Sequence, residues 1–243
     1  MIIQPLSFAN LKQALAEGWQ IANATRGVSI IYSLVFVLGG VVIIGGLLAK
    51  GMTPFVIAAA GAFMLIGPPI LAGFFGIAAA YEAGEKVKPA AIISGFRNAA
   101  GALWVVALVC CLLFMIFVTD VAILYAYMIG GTPVWLVDLI PAAANIVKFI
   151  QWAGVSGFIV AFLLFCFSAF SVPLLCERRA ALVQSIVLSV RVVFGSLVIA
   201  LVWALFISSA IIGSILLLPL LPLTLPWLAY ASRSLYRQAL PTS

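Results

Sequence analysis

Residues 28–49 contain no charged side chain, and comparable apolar runs recur at 54–81, 101–121, 155–175 and 194–231. A hydrocarbon layer about 30 Å thick is crossed by roughly 20 apolar residues in helix. Within it each backbone polar group must be paired inside the segment, which an α-helix does. The runs therefore predict an all-α fold, a polytopic transmembrane helix bundle. Only 7% of the chain is charged, against about 25% in soluble domains. No stretch is polar enough to form an aqueous domain, so residues 1–243 are read as a single transmembrane domain.

The run 194–231 is too long for one crossing and long enough for two, with Gly213 and Ser214 at the turn between spans 194–212 and 215–231. Short cytoplasmic loops carry the Lys and Arg residues of such proteins. Six spans with the N-terminus inside place Lys12, Arg26, Lys86, Lys88, Arg97, Arg178, Arg179, Arg191, Arg233 and Arg237 on the cytoplasmic side and leave Lys50 and Lys148 outside. Five spans would put Arg233 and Arg237 on the wrong face, so both termini are expected in the cytoplasm. The first ten residues lack a basic segment, and the first apolar run starts only after Arg26, which argues against a cleaved signal peptide.

A net charge of +6 invites comparison with nucleic-acid binders, but the basic residues are scattered between apolar runs and follow topology, so no nucleic-acid partner is expected. Histidine is absent, which removes the commonest general base and transition-metal ligand. Cys110, Cys111, Cys166 and Cys176 lie in or at the ends of apolar runs without metal-ligand spacing and read as small packing residues. Glu17, Glu82, Glu85 and Glu177 fall outside the spans, and Asp120 and Asp138 bound an external segment. With no carboxylate pair, proton-relay ladder or metal cluster, the expectation is a non-enzymatic protein without cofactor or metal.

Before the first, third and fifth spans lie segments with apolar residues at helical spacing, at 8–25, 89–98 and 180–191. The first presents Phe8, Leu11, Leu15, Trp19 and Ala22 on one face and Asn10, Lys12, Gln13, Glu17 and Gln20 on the other, as an interfacial helix does. The second follows Pro89 and presents Ile92, Ile93 and Phe96; the third presents Leu182, Ile186 and Val190. The second and third align, Ile92-Ile93 before Arg97 and Gly101 matching Ile186-Val187 before Arg191 and Gly195. Proline marks the same unit: spans one, three and five have none, while the others carry Pro68 and Pro69, Pro173, and Pro219, Pro222 and Pro226. Three hairpins are expected, each preceded by an amphipathic interfacial helix.

Gly67-Pro68-Pro69 should break or kink the second span, since each proline removes a backbone donor. The freed carbonyls near Met64 and Leu65 either line a cavity or are covered by neighbouring side chains. Ala58, Ala62, Ala72, Gly76 and Ala80 form a small-residue packing face on the same span, and Gly39-Gly40 and Gly45-Gly46 give a less regular one in the first. The expected external loop, 122–152, holds Tyr125, Tyr127, Trp135 and Trp152, which suit an interfacial belt or a docking surface.

Gly67-Pro68, Leu71-Ala72-Gly73, Tyr81-Glu82 and Gly84-Glu85 resemble one signature of the bacterial predicted integral membrane proteins grouped as domain of unknown function 2189. Ser171-Val172-Pro173-Leu174-Leu175 with Ala180 or Ala181, Ser185 or Ser189, and Trp203 resembles a second. The chain departs from that pattern at Cys176-Glu177-Arg178-Arg179, where an acidic residue or two is expected after the proline motif. The resemblance implies a bacterial inner-membrane location, names no catalytic residue, and makes Gly67-Pro68 and Val172-Pro173 equivalent landmarks. The function expected is that of an accessory subunit, assembly factor or scaffold, with the lipid bilayer and other membrane subunits as partners. The alternative is a permease or channel for a small solute or lipid built on the helix break.

Overall fold

The structure is a computed structural model and describes residues 3–53, 55–56, 59, 67–99, 101–130, 133–135 and 144–241. The helices of that part are α1 (Phe8–Ala24), α2 (Arg26–Ala49), α3 (Gly67–Glu82), α4 (Ala90–Asn98), α5 (Ala102–Ile129), α6 (Ala144–Ser168), α7 (Ser171–Cys176), α8 (Leu182–Gly195), α9 (Leu197–Leu216) and α10 (Leu221–Ala239), with a 3-10 turn over Leu218–Leu220. Among the described residues, four helical segments are long and apolar enough to cross a membrane: α2, α5, α6 continuing through α7, and α9. Helix α2, with 24 residues, extends about 36 Å at 1.5 Å per residue. The described part of α3 covers 16 residues, and α10 carries Ser232, Arg233, Ser234, Arg237 and Gln238 in its second half.

Chain chemistry sets the helix ends. Ser7 caps α1 in a reciprocal box with Asn10, satisfying donors that the first turn leaves free. Helices α2, α3 and α7 each end in paired reverse bonds: Met52 N–H to the Leu47 carbonyl and Gly51 N–H to Leu48, Glu85 to Ala80 and Gly84 to Tyr81, Arg179 to Leu174 and Arg178 to Leu175. That motif needs a left-handed residue just past the helix. Gly51 and Gly84 supply it with φ of 65° and 71°, whereas Arg178 adopts φ 52° despite its Cβ.

Of the external loop expected over 122–152, the described residues 122–129 and 144–152 are helical: α5 runs on to Ile129 and α6 begins at Ala144. Helical apolar spacing continues past the bilayer-length limit used to end the span, so length alone closed it too early. What lies beyond α5 pairs with the turn after α2, through Val134 N–H to the Gly51 carbonyl at 2.6 Å and Thr53 N–H to Val134 at 3.2 Å.

The amphipathic helices pack on other helices of the bundle. Helix α1 packs along α10, α4 along α3, and α8 against α6 and α7. Each of these helices thus leans on one other than the helix that follows it in the chain, and α1 against α10 joins the N-terminal helix to the C-terminal one. Their buried faces are rotated from the large-residue stripes. Helix α1 buries Leu11, Ala14, Gly18 and Ala22 and leaves Phe8 and Trp19 exposed. Helix α8 buries Ser185, Leu188, Ser189 and Val192, with Ile186 and Val190 half-buried. Close helix approach requires small residues, and bulky apolar ones suit lipid equally well.

The contacts are correspondingly close. A Cβ on Gly18 would stand 2.6 Å from the Ala231 nitrogen, and one on Gly76 would stand 2.2 Å from the Ala91 carbonyl. At α8 a hydroxyl takes the place of glycine. Ser189 donates to the Cys166 carbonyl at 2.8 Å and accepts from the Phe170 N–H at 3.2 Å. Those two groups would bond each other in an unbroken helix; Pro173, one turn on, clashes with that geometry and opens the ladder between α6 and α7.

The largest core cluster centres on α10, where Tyr230, Ala231, Tyr236 and Ala239 are fully buried. Tyr230 reaches Ser29 at 2.6 Å and Thr25 at 3.4 Å, tying α10 to the junction of α1 and α2. Trp227 donates to the Leu15 carbonyl at 2.9 Å, Asn10 bonds Gln238 at 2.8 Å, and Ser234 donates to Glu17. Asn10 and Glu17 of the polar face of α1 therefore meet polar groups of α10, while Lys12, Gln13 and Gln20 on that face are exposed.

Candidate functional site

The C-terminal ends of α3, α7 and α10 converge at one end of the bundle and bring together four charges. Arg233 and Arg237 are one helical turn apart on α10, so they share a face. Arg233 donates from Nη1 to Glu82 at 2.5 Å and from Nε to Glu177 at 3.2 Å. Arg237 bonds Glu82 at 3.1 Å and Glu177 at 2.9 Å. Each carboxylate therefore bridges both guanidiniums. Arg233 is only 4% exposed and lies over the Phe75 ring at 5.8 Å, a placement that a charge tolerates only when paired. Burial lowers the Arg237 guanidinium, but Glu177 and Glu82 beside it outweigh that effect and leave it above its ordinary value.

Two successive arginines tie this cluster to other helix ends. Arg178 donates from Nη2 to the carbonyls of Arg97 at 3.2 Å and Ala99 at 3.4 Å, where α4 ends. Arg179 donates to the Leu240 carbonyl at 2.9 Å, where α10 ends, and to the Tyr236 hydroxyl at 2.8 Å. Both meet the negative pole of a helix, where cations are favoured. Burial first, then Glu177, raises the Tyr236 hydroxyl above its usual range against the pull of Arg179. The left-handed conformation of Arg178 is what aims these neighbours in opposite directions.

Beside the cluster lies a polar cavity of about 420 Å³, lined on α3 and α4 by Gly76, Gly95 and Asn98 and on the other side by Cys176, Glu177, Arg178, Arg233 and Arg237. A second, apolar cleft of about 500 Å³ opens between α5, α6, α9 and α10. Gly67 and Leu71 reach it from α3, and Ser168, Ser208 and Ser232 are its hydroxyl-bearing residues. Among the described residues no three His, Cys, Asp or Glu side chains converge as a metal site.

The sequence-predicted residues divide clearly. Gly67, Pro68 and Pro69 open the described part of α3; Met64 and Leu65, with Ala58 and Ala62, lie outside the described residues, as do the Pro68 and Pro69 side chains. Ala72 and Gly76 face α4, where a Cβ on Gly95 would stand 2.1 Å from the Ala72 carbonyl. Pro173 is buried in α7. Arg97 and Arg191 are exposed, and Gly101 just before α5 and Gly195 at the last position of α8 have open space where a Cβ would stand. Tyr125, expected on a loop, is a buried residue of α5 stacked edge-on against Phe55 and Phe149. Tyr127, Trp135 and Trp152 are exposed, with Trp135 over the Gly51 turn.

Sequence reasoning missed the meeting of Glu82 and Glu177 with Arg233 and Arg237, because the topology rule counts cations by side and pairs none. The spacing of Arg233 and Arg237 by four residues was the available signal. It also missed the hydrogen bond from Ser156 on α6 to Asp120 on α5, which satisfies the carboxylate inside the helix pair.

A family described as predicted integral membrane protein, domain of unknown function 2189, matches residues 55–177, a stretch that includes Glu82 and Glu177. No curated protein and no solved structure matches the chain.

Proposed function

Because the chain belongs to the domain of unknown function 2189 family of predicted integral membrane proteins, we propose that it is a non-catalytic accessory subunit, assembly factor or scaffold that packs against another membrane protein. The observation that carries this reading is the outer face of α2. Gly18, Gly73, Gly76 and Gly95 each have a neighbouring group of this chain where a Cβ would stand, whereas Gly39, Gly45 and Gly46 have nothing within 4 Å. Small residues admit a second helix backbone closely, and at these three positions the described residues supply none. The exposed Tyr127, Trp135 and Trp152 add aromatic contact surface towards the other end of α5.

In this reading α3 and α10 also cross, giving six spans in three units, with both termini and the charge cluster on the cytoplasmic side of a bacterial inner membrane. Purification in mild detergent, crosslinking and mass analysis test it. A defined partner should be recovered with wild type and lost with Gly39→Leu plus Gly46→Leu, while membrane insertion is unchanged. A clean monomer under several conditions overturns the reading.

The apolar cleft supports a second reading, a path or seat for a lipid or apolar solute. Its lining, with three serines as its hydroxyls, suits an acyl chain better than a polar solute. Replacing Pro68 and Pro69 by Ala should then abolish flux with insertion intact; unchanged flux removes it.

A further inference from the structure

We infer that the polar cavity beside the charge cluster binds a phosphate-type anion, either the phosphate of an anionic lipid headgroup or free phosphate. Of the residues lining it, Arg178, Arg233 and Arg237 are cationic and Glu177 is anionic. Glu82 offsets one further charge from the rim of the ion-pair network, so one positive charge remains in excess.

Unused donors point the same way. The Arg233 side chain is 5% exposed, and it donates from Nε to Glu177 and from Nη1 to Glu82. Its Nη2 has no hydrogen bond among the described residues, though a guanidinium carries five N–H donors. Arg178 uses only Nη2 on the α4 carbonyls, leaving Nε and Nη1 for the cavity it lines. Exposed Asn98 adds an amide on the opposite wall. A tetrahedral anion presents several acceptor oxygens and makes short charge-assisted bonds to such forks. The cavity, about 420 Å³, holds a phosphate group together with water. Its place at the end of the membrane helices is where basic pockets between helices meet headgroups.

The test uses the full-length protein in detergent and in nanodiscs. Bound phosphatidylglycerol is measured by native mass spectrometry against phosphatidylcholine, and inorganic phosphate by its effect on thermal unfolding against chloride at equal ionic strength. Asn98→Glu adds a carboxylate to the exposed wall, and Arg178→Asn keeps a left-handed-tolerant residue while removing the guanidinium; neither touches the Glu82, Glu177, Arg233 and Arg237 network. Preferential phosphatidylglycerol retention by wild type, reduced about tenfold in both variants, assigns a lipid headgroup. Phosphate stabilisation without lipid retention, again lost in both variants, assigns the free anion. Equal retention and equal stabilisation in all three proteins, or no binding of either probe by wild type, overturns the inference.

Discussion

The Ser189 hydroxyl stands between the two halves of a broken helix, accepting the Phe170 N–H at 3.2 Å while donating to the Cys166 carbonyl at 2.8 Å. The proline kink and the α8 contact are thus one feature. Ser189→Ala leaves both backbone groups buried without partners and should cost about 2 kcal/mol. Pro173→Ala lets α6 and α7 close their own ladder, so Ser189→Ala should cost much less in that background. A double-mutant cycle by thermal unfolding in detergent measures the difference. Additive losses would show that the hydroxyl does not compensate for the kink.

The ion network separates a buried charge from an exposed one. Arg233 has a side chain 5% exposed, and that of Arg237 is 43% exposed, yet both bond the same two carboxylates. Arg233→Met should destabilise the bundle by about 3 kcal/mol or more, because Glu82 and Glu177 lose their inner partner. Arg237→Met should cost under about 1 kcal/mol, since water screens that position. Unfolding midpoints of the two variants decide the order. Equal losses would place the two arginines in equivalent surroundings.

How much was legible follows from what each kind of pattern reports. Apolar runs report helices, and α2, α5, α6 and α9 are found where the runs are. The amphipathic segments were visible too, but their buried sides were not, because Phe8 and Trp19 look like core residues and are exposed, while Gly18 carries the contact. In water a large apolar side chain marks the core; next to lipid it does not. Arg233 and Glu177 were visible only as charges outside the spans, since their meeting depends on three helix ends distant in sequence converging.

Glycine substitutions test that rotated packing directly. Gly76→Ala places a methyl 2.2 Å from the Ala91 carbonyl, where a helix must move, and should cost about 1–3 kcal/mol. Gly101→Ala and Gly195→Ala meet nothing within 4 Å and should be close to neutral. Expression in the membrane fraction followed by thermal unfolding ranks the three. Losses at Gly101 and Gly195 as large as at Gly76 would contradict the α3–α4 approach.

The same contacts constrain topology more tightly than charge counting does. Glu82 and Glu177 both bond Arg237, so the ends of α3, α7 and α10 must lie on one side of the membrane. Gly51 and Val134 are likewise bonded, which puts the far ends of α2 and α5 together. Alkaline phosphatase joined after Gly84, Arg179 or Leu240 should therefore give one common result, and after Gly51 or Val134 the opposite one. Six crossings with a cytoplasmic N-terminus require the first set to be inactive and the second active. An active fusion after Leu240 combined with inactive ones after Gly84 and Arg179 would remove α10 as a crossing helix and break the ion network with it.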